Sequence, residues 1–344
     1  MMPDIPLPGS SPPAQRAVSS LLHHFHRQRP IRGGSLLITI FGDSIAPRGS
    51  AITLGSLIRL AQPFELTERL VRTSVARLAS DGWLLARRDG RRSEYRLSPT
   101  GLERFAEATH RIYGEIPNSW DGQWTLLILP PGAGTRRQDI RDELRWLGFG
   151  QISPGVFAHP NWSIQRARTA LKGLAGVENA LLLKSQSEGG EADRRLVASG
   201  WDLGDLTRRY RRFVDIFAPV LEAVRPRAPV PSLRTATIDG ATSSDSANVS
   251  DRDSGKEVDL PAEAAFVIRT LLIHEYRKIH LQDPLLPPAL LPSGWVGAAA
   301  YELSKQLYST VFTAAERYLS DSASTLTEAL PPADRSAQAR FGTA

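Results

Sequence analysis

An α+β chain is predicted, with an N-terminal winged helix-turn-helix, a central ferredoxin-like domain and a mainly helical C-terminal domain. Three observations predict it. Three helical signals run into a hairpin signal between residues 35 and 98. Strand and helix signals then alternate as β-α-β-β-α-β between residues 122 and 186, the ferredoxin-like order. Finally, long amphipathic stretches of helical period occupy residues 205–224, 262–281 and 298–319.

The first block begins with the apolar run SLLITIFGDSI (35–45), which suits a buried helix. A second helix opens on Thr53 as N-cap and stops near Pro63, and a third opens on Thr67 and stops at Gly82. WLLARRDGRRSEYRLS (83–98) reads as two short strands joined at Asp89-Gly90, a strong hairpin signal. In the middle block, WTLLILP is a continuous apolar strand and RRQDIRDELRWLG an amphipathic helix ending at Gly148. The domain scheme is then a disordered N-terminal tail and lead-in (1–29), the winged helix-turn-helix (30–112), the ferredoxin-like domain (113–190), a helical effector and dimerisation domain (191–320) and a flexible tail (321–344). A Ser-, Asp- and Pro-rich stretch without periodicity marks a flexible insert at 226–258.

Composition bounds the function. The 344 residues contain no cysteine, which excludes disulfides, thiol catalysis and cysteine-ligated metal sites. No apolar run approaches the ~18–20 residues that span a bilayer, and no signal peptide opens the chain, so a cytoplasmic protein with no membrane association is expected. There are 42 Lys and Arg against 36 Asp and Glu, a net charge of +6, and only five of the basic residues are lysine. An arginine excess suits bidentate phosphate recognition, and it equally follows from GC-rich coding. Only the position of the arginines separates the two.

Their position favours a polyanion. At 100° per residue, Val71, Val75 and Leu78 form the buried stripe of the third helix, which leaves Arg69, Arg72, Thr73 and Ala76 opposite, with Arg77 at the edge. Long forked donors around a small residue fit a helix that enters the major groove, with Thr67 capping it. A solvated basic face explains the helix alone equally well. The hairpin shifts the balance, because Arg87, Arg88, Arg91, Arg92 and Arg96 crowd against only Asp89 and Glu94. Such crowding makes sense where backbone phosphates neutralise it, as along a wing. The expected partner is double-stranded DNA with a palindromic operator, read by a homodimer.

Here the chain resembles a known family. The stretch from Ser35 to Gly101 is similar to the opening domain of the PaaX family, bacterial repressors of phenylacetate degradation operons. The resemblance continues in HEYRKIHLQDPLLPPALLPSGWVG (274–297), and departs from the family at Gln282, where an arginine is expected. It implies a repressor of aromatic-acid catabolism that is not an enzyme, needs no cofactor, and leaves its operator when phenylacetyl-CoA or another aryl-CoA thioester binds. For that ligand, Arg277 and Lys278 beside His274 and Tyr276 are candidate phosphate contacts, and Trp295, Phe266 and Tyr301 candidate apolar ones. HEYRK as a structural packing cluster is the equal alternative. The run Arg208, Arg209, Arg211 and Arg212 is a further basic candidate.

The middle block also resembles the small ferredoxin-like subunit of CRISPR spacer acquisition, some members of which are metal-dependent nucleases. That chemistry requires an aspartate at the end of the first strand, where this chain has Leu129-Pro130-Pro131, and Asp139 falls inside the following helix. Other enzyme motifs fail on spacing. His274-Glu275 begins like a zincin motif, but position 278 is lysine. His23, His24 and His26 lack a neighbouring carboxylate, and no Walker loop, G-x-S-x-G elbow or G-x-G-x-x-G fingerprint occurs. No metal site is expected. A nuclease and an acyl-CoA-processing enzyme stand as the rival readings.

Overall fold

The computed structural model describes residues 12–28, 33–114, 119–129, 137–172, 174, 176–225 and 260–342. The expected insert at 226–258 lies outside them.

The first helix, α1 (Pro12–Arg27), stands where a disordered lead-in is expected. Two prolines fill its first turn, where their missing N–H groups cost nothing, and Ala14, Leu21 and Phe25 recur on one buried face. The expected buried helix is α2 (Gly33–Ile40), which widens into a π turn over Phe41–Ile45 and a 3-10 turn over Ala46–Arg48. A short strand, β1 (Ala51–Thr53), precedes α3 (Leu54–Ala61), and Thr53 caps α3 by accepting from the Ser56 N–H at 3.3 Å. Then come α4 (Glu68–Ser80), β2 (Leu84–Asp89), β3 (Arg92–Leu97) and α5 (Pro99–Tyr113). The three strands form an antiparallel sheet in the order β1-β3-β2. Three helices, a hairpin and a covering helix give the winged helix-turn-helix.

The central unit runs β4 (Gln123–Ile128), α6 (Arg137–Trp146), β5 (Gly150–Ser153), β6 (Val156–His159), α7 (Ile164–Ala170) and β7 (Leu181–Gln186). Its antiparallel sheet has the order β5-β6-β4-β7, the ferredoxin-like topology. Leu127, Phe157 and Leu182 on one face pack against Ile140, Leu144 and Ala167. Trp124 and Ala158 on the other face meet Val197 of α8 (Glu191–Gly200) together with Leu286 and Leu290.

The last unit is helical: α9 (Leu203–Val224), α10 (Ala262–His280), α11 (Val296–Ser322) and a short α12 (Arg335–Gln338). Almost every side chain from Ala265 to His274 is buried, so α10 is the central rod of the molecule. The terminal and helical units share one core, which extends from Leu36 and Val71 through Phe213 and Phe266 to Val311. Among the described residues no helix is long and apolar enough to cross a membrane.

The expected flexible tail at 321–344 is ordered from 321 to 342, and it returns to the N-terminal unit. The Thr53 N–H donates to the Ser324 carbonyl at 3.0 Å and the Asp334 N–H to the Pro47 carbonyl at 3.0 Å. Phe341 inserts among Tyr113, Tyr276, Tyr301 and Tyr308, with ring centroids 5.2–6.1 Å away. Burial of that ring contributes a few kcal/mol toward holding the segment against the N-terminal unit.

Candidate nucleic-acid interface

The turn between α3 and α4 is set by local chemistry. The 3-10 turn Gln62–Phe64 ends on Glu65 in the left-handed region (φ 55°), and Thr67 caps α4 by accepting from the Leu70 N–H at 3.3 Å. Thr67 therefore serves the helix start. Val71, Val75 and Leu78 are buried as the spacing requires, and Arg69, Arg72, Thr73, Ala76 and Arg77 are exposed. Gly82 (φ 75°) closes the helix, and the Trp83 N–H donates to the Leu78 carbonyl at 2.9 Å, which fixes the hairpin to the end of α4.

The hairpin register pairs Asp89 with Arg92, so the two tip residues are Gly90 and Arg91 rather than Asp89 and Gly90. Gly90 takes φ 55° at the first tip position, where a II′ turn needs a positive value. Every residue of β2 beyond Leu84 is exposed, including Arg87 and Arg88, and so are Arg91, Arg92 and Arg96.

The partners of these arginines divide them. The guanidiniums of Arg69, Arg87, Arg91 and Arg96 have no hydrogen-bond or ion-pair partner among the described residues. Arg72 pairs with Glu68 one turn back, at 2.6 Å, with both side chains more than half exposed (55% and 58%). Arg77 lies 3.8 Å from Asp81. Exposed i,i+4 pairs of this kind are worth only about 0.3–0.5 kcal/mol, so an incoming phosphate or guanine edge displaces them readily. The Arg88 Nε donates to the Gly90 carbonyl, and Arg92 donates to the Leu326 carbonyl at 3.3 Å. Glu94, which stands across the ladder from Arg87, makes no ion pair with it. Its buried carboxylate accepts the Leu326 N–H at 2.8 Å. The acid that would neutralise the wing is thus committed to the C-terminal segment.

Behind the interface lies a buried ionic cluster. Asp43, in the π turn, accepts from Arg269 (2.7 Å), Arg340 (2.8 Å), Tyr113 (2.7 Å) and Tyr308 (3.0 Å). Burial alone would raise its carboxyl, but the guanidiniums of Arg269 and Arg340 hold it below the usual carboxylate range. Glu316 pairs with Arg269 at 2.5 Å and with Arg48, whose buried guanidinium is pushed down to about 10 by burial and by neighbouring Arg269. Asp43 and Arg48 come from the N-terminal unit, Arg269 and Glu316 from α10 and α11, and Arg340 from the returning tail. The signal was an aspartate inside the apolar run SLLITIFGDSI, since a charge at such a site needs a buried partner.

The residues expected to hold an aryl-CoA are not gathered in one place. His274 is buried, its Nδ1 lies 3.0 Å from the Thr39 hydroxyl, and burial holds it well below the ordinary histidine range. Arg277 donates to Thr39 (2.8 Å) and to the Ser35 carbonyl (2.7 Å), which ties α10 to α2. Tyr276 is buried, with its hydroxyl 3.1 Å from His280 Nδ1, and Phe266 is buried in the common core. All four side chains are engaged in packing or hydrogen bonds within the protein. Lys278 bonds Glu275 and Gln28 and lines a small cleft with His24 and Arg212. Trp295 alone stands in the wall of an apolar cavity of about 420 Å³, at the start of α11. In the basic run, Arg209 donates to Gln282 and to the Lys278 carbonyl, whereas Arg211 and Arg212 face outward.

In the central unit, Leu129 follows the end of β4 and its N–H donates to the Gly155 carbonyl, while Asp139 is exposed on α6. Pro130 and Pro131 lie outside the described residues. Among the described residues no group of three or more His, Asp or Glu side chains is placed to hold a metal ion.

Comparisons with known proteins bear on the family of the chain. Family models described as PaaX-like protein, PaaX protein central Cas2-like domain and PaaX-like protein C-terminal domain match residues 32–101, 117–197 and 245–321. The chain is 32% identical over 328 residues to the transcriptional repressor PaaX of Escherichia coli (strain K12), covering 94% of this chain and 95% of that protein. A solved structure of an uncharacterized protein from Mycobacterium tuberculosis is 21% identical, with a TM-score of 0.46, covering 88% of this chain and 96% of that one. Three successive family models and a relative matched along nearly its whole length show that the chain belongs to the PaaX-like protein family.

Proposed function

We propose that the chain is a homodimeric transcriptional repressor of aromatic-acid catabolism of the phenylacetate type, acting in the cytoplasm and released from its operator by an aryl-CoA thioester such as phenylacetyl-CoA. The observation that carries the DNA-binding part is the set of exposed, unpaired guanidiniums at Arg69, Arg87, Arg91 and Arg96 on the helix and wing of a winged helix-turn-helix. Arg69 and Arg72 read base edges in the major groove, with Thr73 and Arg77 beside them, and Thr67 sets the start of the helix. Arg87, Arg88, Arg91, Arg92 and Arg96 run along the phosphates.

Two further features support the reading. The sheet of the central unit has an open edge at β7, where Leu181 and Leu183 are 53% and 39% exposed, and a second copy would cover such an edge. A two-fold axis there gives the paired reading heads that a palindromic operator demands. The helical unit is bonded to the wing itself through Leu326, and to α3 through Ser324, so a shift of α11 reaches the DNA-reading elements directly. A ligand that favours one position of α11 then changes operator affinity by its differential affinity for the two states. The Escherichia coli relative is a transcriptional repressor, which supports a regulator over the nuclease and acyl-CoA-processing readings.

The test is an anisotropy titration of the full chain on labelled DNA from upstream of its own gene, repeated with phenylacetyl-CoA, benzoyl-CoA, acetyl-CoA and free CoA. Tight binding reversed by an aryl-CoA is the expected result. Indifference to all four ligands would defeat the sensor role.

A further inference from the structure

The stretch between α10 and α11 does more than connect them. It leaves α10 through Asp283-Pro284 and builds one wall of the 420 Å³ cavity from Leu285, Leu286, Pro288 and Leu291. The facing wall is aromatic. Tyr210 of α9 and Trp295 lie edge to face, with ring centroids 6.0 Å apart at 81°. A Cβ at Gly297 would sit 2.3 Å from the Trp295 Nε1, so the glycine allows the indole to lie against the start of α11. Prolines and rings make stiff walls, so the cavity is preformed, and its volume is in the range of ordinary ligand pockets.

One end of the cavity is polar. The Tyr210 hydroxyl donates to Asp283 Oδ2 at 2.7 Å and lies 3.0 Å from His280 Nδ1. Asp283 Oδ1 accepts the Leu285 N–H at 2.8 Å, and the buried carboxyl has no ion-pair partner among the described residues. Burial raises the Asp283 carboxyl and lowers His280 to about 3, and the hydroxyl and imidazole at this end are polar groups that suit a carbonyl. The Trp295 Nε1–H has no partner among the described residues and is a free donor. Leu285 holds φ 53°, a conformation that a leucine adopts only where its surroundings fix it.

Across Leu291-Pro292 lies a second, larger cavity of about 840 Å³, which shares those two residues. Its walls carry Arg145 and Arg194 beside Trp201, Val197 and Leu203. The nearest carboxylate oxygen to Arg145 is 4.0 Å away, and Arg194 holds only a one-turn surface pair with Glu191 at 3.1 Å. The one acid in that wall, Asp202, caps α9 by accepting the Asp205 N–H. Here is a lobe with available guanidiniums beside a flat apolar slot.

We infer that the two cavities form one bipartite site for an aryl thioester of a phosphorylated carrier, with the aromatic acyl group between Tyr210 and Trp295 and the phosphates on Arg145 and Arg194. The assignment rests on the aryl-CoA reading above and gives that ligand a location. Edge-to-face rings prefer a planar aromatic guest, and guanidiniums prefer phosphate oxygens. Ligand contact with Trp295 acts on the first turn of α11, whose far end feeds the segment bonded to the wing.

The experiment is calorimetric titration of the full chain with phenylacetyl-CoA and with free CoA, in four forms: wild type, Ala298→Trp, Ser293→Trp and Arg145→Glu. Ala298 and Ser293 are exposed on the rim of the slot, so their indoles fill it without entering the core. Retained operator binding checks folding. At least a tenfold loss of phenylacetyl-CoA affinity in either rim variant, with free CoA affinity unchanged, is expected, and Arg145→Glu should weaken both ligands at least fivefold. Wild-type affinity for phenylacetyl-CoA in both rim variants would overturn the location while leaving the effector reading intact. A wild-type chain that binds no aryl-CoA would overturn the effector reading, and the site with it.

Discussion

Replacing Asp43 by Ala removes the one carboxylate that faces both Arg269 and Arg340. In the native cluster three buried arginines (Arg48, Arg269 and Arg340) meet two carboxylates, Asp43 and Glu316. Without Asp43, Arg340 loses this ion pair, Arg269 keeps Glu316, and the hydroxyls of Tyr113 and Tyr308 lose their shared acceptor. Breaking a buried pair from one side costs about 3–5 kcal/mol, because the surviving charge stays desolvated. The two hydroxyls left without their acceptor would bring the cost toward the upper end of that range. Against a stability of roughly 5–15 kcal/mol, the variant should be marginal at 37 °C. Urea unfolding followed by circular dichroism measures the change, with Arg69→Ala as a surface control expected within about 0.5 kcal/mol. A loss below about 1 kcal/mol for Asp43→Ala would show that the cluster does not join the units as argued.

Three other outcomes follow from the geometry. Phe341→Ala, which empties the tyrosine-lined site of the C-terminal segment, should cost about 3–5 kcal/mol in the same assay, whereas a mobile tail would show no change. The unfolded chain binds protons at His159 and His280 near pH 6.5, and the folded chain refuses them until about 3, so stability is complete above 6.5 and falls as pH drops below it. Between pH 6.5 and 4.5 each histidine should withdraw up to about 2.7 kcal/mol, which urea midpoints across that window would reveal. Leu181→Glu with Leu183→Glu should convert a dimer to monomers in sedimentation velocity, and an unchanged sedimentation coefficient would place the dimer interface elsewhere.

The parts legible in the sequence are those fixed by neighbours. Thr53 and Thr67 before apolar runs marked the helix starts, and the alternation of strand and helix signals marked the ferredoxin-like order. The hairpin was legible but its tip was one residue off, because Asp89-Gly90 and Gly90-Arg91 are both turn dipeptides and only the register distinguishes them. In α1 the tail-like composition hid a stripe at Ala14, Leu21 and Phe25, and prolines that suit a first turn. Phe341 was beyond reach, since its partners lie as far as 228 residues away in the sequence and no local pattern names them. Charge and the family resemblance point to HEYRK for the phosphates of an effector, and the nearby aromatics to its acyl group. In the structure those charges join α10 to α2, while the cavity draws on Tyr210 and the leucines and prolines that follow, whose role depends on which helix they face.

Exposed guanidiniums on α4 and the wing are held to bind duplex DNA. The most direct test compares the operator affinity of the wild type with that of Arg69→Ala/Arg72→Ala and Arg91→Ala/Arg92→Ala, measured from 50 to 200 mM salt. The helix variant should lose roughly 1–3 kcal/mol for each base-reading arginine and discriminate less between operator and random DNA. The wing variant should weaken binding to every sequence and flatten the salt dependence by about one to two phosphate contacts. Wild-type affinity and wild-type salt slope in both variants would contradict the account.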